Sequence, residues 1–217
     1  DVIHFNLGNS TGYTAAEYFT MIGPRLEVIN SGNSVFIGEG AGSSDNLSFN
    51  NNVFIGSQSG NNTVNGDNNT GVGYQTLQSN NSGAQNTAIG GQALNSNVSG
   101  SHNTGIGFNV LRDNTGDNNV AIGREAGLLN VTGSGNVFIG HQAGRNELGS
   151  NHLYIDNSNT ATPLIWGDFS TNELRVNGSL NINSAYTLPT SDGSNTQVLT
   201  TDGLGNVTWQ NGGGSSP

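Results

Sequence analysis

A short motif, Asn-x-x-Ile-Gly, returns along most of the 217-residue chain at a nearly constant interval. Its glycines stand at positions 38, 56, 73, 90, 107, 123 and 140, so neighbouring copies lie 16 to 18 residues apart. A decayed copy follows at His152–Asp156. A unit this short cannot bury a core alone, so its copies have to stack and bury one another. We therefore predict an all-β fold, a β-solenoid (β-roll) with coils of about 17 residues.

Two columns of the repeat are predicted to hold the coil together. The residue before each glycine is β-branched, which suits an interior strand position. We expect this column to fill the coil: Ile37, Ile55, Val72, Ile89, Ile106, Ile122, Ile139 and Ile155. The glycines suit tight corners where φ is positive or backbones approach closely. They are Gly38, Gly56, Gly73, Gly90, Gly107, Gly123 and Gly140.

The residue just before each Ile lies on the opposite face of the strand, because side chains alternate with a period of two. This middle column reads Phe36, Phe54, Gly71, Ala88, Gly105, Ala121, Phe138 and Tyr154. If the Ile column is interior, the middle column needs another cover, and a neighbouring copy of the chain is the simplest one. The alternative is that the aromatic members cap the ends of the solenoid. Asparagines in register are also expected to form hydrogen-bonded ladders along the stack.

Composition limits the partners of this chain. Only 32% of residues are hydrophobic and 9% are charged, which favours a thin core along an axis. The formal net charge of -10, with five arginines and no lysine, argues against nucleic-acid binding. No apolar run is long enough for a membrane helix, and no cysteine is present for disulfides or a thiolate metal site. The chain begins at Asp1, so we expect a processed product or a fragment of a longer protein.

The flanks differ from the repeat. Residues 1–30 are predicted to be an N-terminal β connector or cap, and residues 31–156 the solenoid. Residues 157–184 are predicted to form a β-hairpin or β-prism-like segment, because two strand-like runs flank Ser170-Thr171-Asn172. Residues 185–217 are predicted to be a shaft-like tail that ends in a Gly/Ser linker.

The Asn-x-x-Ile-Gly-x-x-Ala pattern resembles the head repeats of trimeric autotransporter adhesins. The run 133–144, followed by 149–158, 163–169 and 186–193, is similar to phage-type tail-fibre proteins of marine Bacteroidota that end in an endosialidase-type intramolecular chaperone. This resemblance covers nearly the whole chain and implies a parallel homotrimer in an extracellular, cell-surface or virion fibre. The chaperone itself is absent, so no functional residue is carried over.

No catalytic, cofactor-binding or metal-binding constellation stands out among the residues. The candidates for ligand contact are Tyr74, Phe108 and His141, which share one column and suit stacking on sugars. Hydrophobic packing at the corners of the coils explains these residues equally well. Asp67 and Asp117 are interpreted as turn residues in preference to calcium ligands. Asp168 and Glu173 are interpreted as exposed hairpin acids in preference to a glycosidase pair.

These features predict a non-enzymatic structural or adhesive fibre module whose main partner is itself, with a cell-surface glycan or receptor as a further partner. The first alternative is a solitary solenoid that binds a glycan or ice, since Thr70, Thr87 and Thr104 align. A polysaccharide-degrading enzyme is the third candidate.

Overall fold

The computed structural model describes residues 18–22, 25–29, 31–48, 50–182, 186–187, 189, 193–204 and 206–212. The described secondary structure is entirely β. Seven short strands form the repeat: β3 (Val35–Ile37), β4 (Val53–Ile55), β5 (Thr70–Val72), β6 (Thr87–Ile89), β7 (Thr104–Ile106), β8 (Val120–Ile122) and β9 (Val137–Ile139). The other strands are β1 (Tyr18–Ile22), β2 (Arg25–Ile29), β10 (His152–Ile155), β11 (Ile165–Asp168), β12 (Glu173–Val176), β13 (Asn181–Ile182), β14 (Tyr186–Thr187), β15 (Gln197–Thr201) and β16 (Val207–Asn211).

The predicted β-solenoid is confirmed. Each repeat strand pairs in parallel with the equivalent strand of the next coil, so that motif residues stack directly on one another. The decayed copy β10 continues this parallel stack on β9. Strands β11 and β12 then add to the same sheet in antiparallel order, which gives a ten-stranded sheet from β3 to β12.

The interior of the coil is formed by the middle column, so the prediction that the Ile column fills it was wrong. Phe54, Ala88, Ala121 and Phe138 have no solvent-accessible surface. The exposed fraction of the Ile column instead reaches 51% at Ile37 and is still 37% at Ile139. Each three-residue strand directs one residue to one face and two residues to the other. The narrow coil encloses the single residue, and the two β-branched neighbours face outward.

The middle column therefore needs no neighbouring copy to cover it, which corrects the second expectation. Its cover comes from the same coil, where Leu77, Leu94 and Leu111 are fully buried against it. The aromatic members do lie towards the two ends of the stack, as the alternative proposed. Phe36 stacks on Phe54 with a centroid distance of 5.8 Å, and Phe138 packs on Tyr154 at 5.9 Å.

Buried asparagines connect the coils, as expected. The first ladder consists of Asn52, Asn69, Asn86, Asn103, Asn119 and Asn136. In a typical step, the Nδ2 of Asn103 donates to the carbonyl of Gly116 at 2.8 Å, and its Oδ1 accepts from the backbone N–H of Asn119 at 2.9 Å. A second buried set is Asn80, Asn97, Asn114 and Asn130. Because each amide of the first ladder is paired across coils, these polar side chains are buried with their hydrogen bonds made.

The motif glycines form the corners, as predicted. Gly107 has a φ of 143°, and a Cβ at this position would lie 2.5 Å from the carbonyl oxygen of Gly123 in the next coil. Successive corners therefore stack backbone on backbone, with no room for a side chain between them. The predicted hairpin around 163–176 is also present as β11 and β12. Three further two-stranded sheets, β1–β2, β13–β14 and β15–β16, lie outside the ten-stranded one.

Candidate self-association surface

The outward face of the ten-stranded sheet consists of two straight columns of mostly β-branched residues. The first contains Val35, Val53, Thr70, Thr87, Thr104, Val120 and Val137. The second is the Ile column named above. We call these two columns the outer stripe.

The outer stripe continues without a register shift into the hairpin. Ile155 pairs with Ile139, Ile165 pairs with Ile155, and Val176 pairs with Ile165. The first column continues in the same way through Leu153, Gly167 and Leu174. Since directly paired residues share a face, the stripe runs across all ten strands, a length of about 43 Å at a strand spacing of about 4.8 Å.

No position of the outer stripe is charged, although the chain carries 15 acidic residues. The stripe is about 43 Å long, and its width is two residue rises of about 3.3 Å each, so its area is about 300 Å². A patch of this size is comparable to the largest apolar patch on a typical monomer, and such patches are often functional.

The three predicted ligand-contact residues lie in one column, at the corner that follows the stripe. The side chains of Tyr74 and Phe108 are 55% and 50% exposed. They are two coils apart, and the Phe108 ring leans over Gly91 in the coil between them, where a Cβ would meet the ring at 3.3 Å. His141 is different, because its Nε2 lies 3.2 Å from Arg124. The column thus aligns the three residues along the rod and does not gather them into one pocket.

Acidic residues singled out in the sequence bind their own neighbours. Asp117 accepts the backbone N–H of Ser101 at 2.7 Å and so connects two turns. Asp168 accepts from the backbone N–H and the hydroxyl of Ser170, and the hydroxyl bond in particular lowers the pKa of Asp168. The general acid of a glycosidase has a raised pKa, whereas the pKa of Asp168 is lowered. Glu173 binds Arg175 at 2.6 Å.

Within the described ranges, no three His, Asp or Glu side chains come together in a way that would hold a metal ion. The same residues include no helix long and apolar enough to cross a membrane.

Two carboxylates that sequence reasoning missed are held in polar networks. Glu125 stands in a column that has an amide side chain in five other coils, and it accepts from Gln142 at 2.8 Å and Arg145 at 3.2 Å. These bonds, led by the one from Gln142, lower the pKa of Glu125. Its position in the repeat, where Gln75, Gln92 and Gln142 stand in other coils, is the signal that would have identified it.

The second carboxylate, Glu147, lies at the end of the solenoid. Its Oε2 accepts the hydroxyl of Tyr154 at 2.5 Å, and its Oε1 accepts the N–H of Gly149 at 2.6 Å. Burial alone would raise the pKa of Glu147, but these hydrogen bonds prevail and lower it. Glu147 follows the Asn80–Asn130 ladder at the same repeat position, and this substitution is visible in the sequence.

Compared with known proteins, the chain matches no family model, and neither curated proteins nor solved structures show a significant similarity to it.

Proposed function

We propose that this chain is a non-enzymatic structural module of an extracellular fibre, in which three copies associate in parallel through the outer stripe. The observation that carries the proposal is the uncharged, half-exposed stripe that runs in register across ten strands. The trimeric state and the extracellular setting come from the resemblance to tail-fibre proteins and trimeric adhesins.

A second copy of the same chain suits this surface better than an unrelated partner does. A rotation axis parallel to the rod places every coil at the height of its equivalent in the other copies. Ile106 then faces Ile106, and Thr104 faces Thr104, over the full length of the stripe. The absence of charge also matters, because each chain has a net charge of -10 and a charged stripe would repel its own copy.

The mass in solution tests the proposal. Light scattering coupled to size exclusion is expected to give a trimer of about 67 kDa, three times the chain mass of 22.4 kDa. Ile106→Asp places a carboxylate in the middle of the stripe and is expected to yield a folded monomer, because three buried charges would face one another. Val98→Asp is the matched control, since Val98 is 49% exposed but lies outside the stripe. A trimer that survives Ile106→Asp, or a monomeric parent chain, would contradict the proposal.

One observation favours the solitary binding module as a second candidate. Thr70, Thr87 and Thr104 stack in register on the outward face, where all three residues are partly exposed in the single chain. This candidate requires a monomer. If the mass is that of one chain, a measurement of thermal hysteresis decides whether the row acts on ice.

A further inference from the structure

A cavity of ≈ 220 Å³ lies between the last coil of the solenoid and the loop that joins β10 to β11. Its polar walls are provided by Asn146 and Glu147 from the coil, Tyr154 from β10, and Asn159 and Thr160 from the loop. The repeat explains its position. The last coil has Glu147 where earlier coils have the buried Asn80, Asn97, Asn114 and Asn130, and no further coil stacks on it.

The loop wall of the cavity is held in place by its own hydrogen bonds. Asp156 accepts the backbone N–H of Leu164 at 2.7 Å and the hydroxyl of Ser158 at 2.8 Å, so both ends of the loop are connected. Asn177 donates to the carbonyl of Pro163 at 2.7 Å from the strand side. A loop tied in this way loses little conformational freedom when a ligand binds.

The chemistry of the walls restricts the ligand. An anion is disfavoured by the Glu147 carboxylate, whose orientation is set by Tyr154 and Gly149. A purely apolar ligand would strip water from the carboxylate, amides and hydroxyl without replacing their hydrogen bonds. The cavity is also smaller than the roughly 300–1,000 Å³ of sites for drug-sized ligands.

We propose that this cavity binds a single neutral sugar residue. Its hydroxyls donate to the Glu147 carboxylate and exchange hydrogen bonds with Asn146, Asn159 and Thr160, while its C–H face lies against Tyr154. This combination of an aromatic ring, a fixed acceptor and amides matches the mixed polar and apolar surface of a sugar. The proposal goes beyond fibre assembly, because every wall residue belongs to one chain.

The probes are the methyl glycosides of glucose, galactose, mannose and N-acetylglucosamine, titrated into the full chain and followed by saturation-transfer NMR. At least one is expected to bind saturably in the millimolar range. The methyl glycoside of glucuronic acid is expected to bind at least about tenfold more weakly, because its carboxylate meets Glu147. Asn159→Ala should weaken binding about tenfold, which corresponds to the loss of one ligand hydrogen bond. Thr160→Val should weaken it at least as much, because it also removes the hydrogen bond that Thr160 accepts from the N–H of Thr162 at 3.1 Å.

Thr132→Val serves as the matched control, since Thr132 is an exposed threonine that is not part of the cavity wall. Circular dichroism confirms that each variant is folded. The proposal is overturned if no neutral glycoside binds saturably, or if binding is unchanged in Thr160→Val. Neither result depends on the mass in solution, so failure here and failure of the trimer are distinguishable.

Discussion

The ring of Phe54 occupies the space beside Gly60 that a side chain at position 60 would otherwise fill. One coil later the arrangement is reversed, with Gly71 in the strand and the fully buried Leu77 six residues after it. Two other coils differ in the same way. One has Phe138 in the strand and Gly144 on the opposite wall, whereas the other has Ala88 in the strand and Leu94 on the opposite wall. Most coils thus fill one interior volume either from the strand or from the opposite wall. The coil with Ala121 and Gly127 is the exception, and there the Phe138 ring of the next coil lies beside Gly127.

This exchange predicts compensation between two substitutions. Gly60→Leu alone is expected to lower the free energy of unfolding by about 1–3 kcal/mol through overpacking against Phe54. Phe54→Ala alone should cost about 3–5 kcal/mol by leaving a cavity. The double variant recreates the Ala88–Leu94 pair and should be more stable than Phe54→Ala, since Leu94 already adopts a φ of 51° at the equivalent position. Additive losses in urea unfolding would contradict this.

The asparagine ladder predicts a large cost for a single central amide. Asn103→Ala leaves the carbonyl of Gly116 and the N–H of Asn119 buried without this partner. We expect a loss of about 2–6 kcal/mol, at about 1–3 kcal/mol for each of the two unpaired groups. Asn62→Ala, at an exposed position of the same chain, should change unfolding by less than about 0.5 kcal/mol. Equal effects of the two variants would show that the ladder contributes no stability.

Corner glycines are expected to be intolerant of alanine for two separable reasons. Gly107→Ala combines a positive φ with overlap against the next coil, whereas Gly203 has a φ of 77° and no atom within 4 Å of the place that a Cβ would take. Gly203→Ala should therefore show the cost of the backbone conformation alone, about 1 kcal/mol. Gly107→Ala should cost clearly more and increase hydrogen exchange in the neighbouring coils. A similar cost at both positions would show that stacking of the corners is loose.

Acid should loosen the end of the solenoid through Glu147. The pKa of this carboxylate is lowered in the folded chain. The carboxylate therefore stabilises the fold at pH values above its ordinary pKa of 4.5, and this stabilisation is lost as the pH falls below that value. Glu147→Gln is expected to flatten the dependence of stability on pH in that range. The comparison is Glu173→Gln, which changes an exposed hairpin acid. An unchanged acid profile in Glu147→Gln would contradict the lowered pKa.

Alkali should act on the partner of Glu147. Burial, together with the hydrogen bond to Glu147, raises the pKa of Tyr154 from 10.0 to about 12. A group whose pKa is raised on folding stabilises the folded chain at pH values below its unfolded pKa. This stabilisation is lost as the pH rises through the folded pKa, here between 10.0 and about 12. Tyr154→Phe should remove the tyrosinate absorbance that appears last in a spectroscopic titration. Tyr74→Phe, at a 55% exposed position, should leave that late step in place.

The amino-acid sequence alone determined the coil length, the parallel stacking, the corner glycines and the asparagine ladders. Each of these follows from a residue type repeated at one interval, such as Gly107 at a corner or Asn103 in a ladder. The hairpin at 163–176 was equally predictable, because a turn-forming triplet separates two strand-like runs.

Which face of each strand is enclosed was decided only by the tertiary structure. Ile106 and Gly105 lie on opposite faces, and hydrophobicity favours Ile106 for the interior, but the coil is too narrow for two β-branched columns. It encloses Gly105 together with Leu111 from the facing wall and leaves Ile106 38% exposed. The cavity beside Glu147 likewise depends on where the last coil meets the β10–β11 loop, a contact between segments that no local pattern specifies.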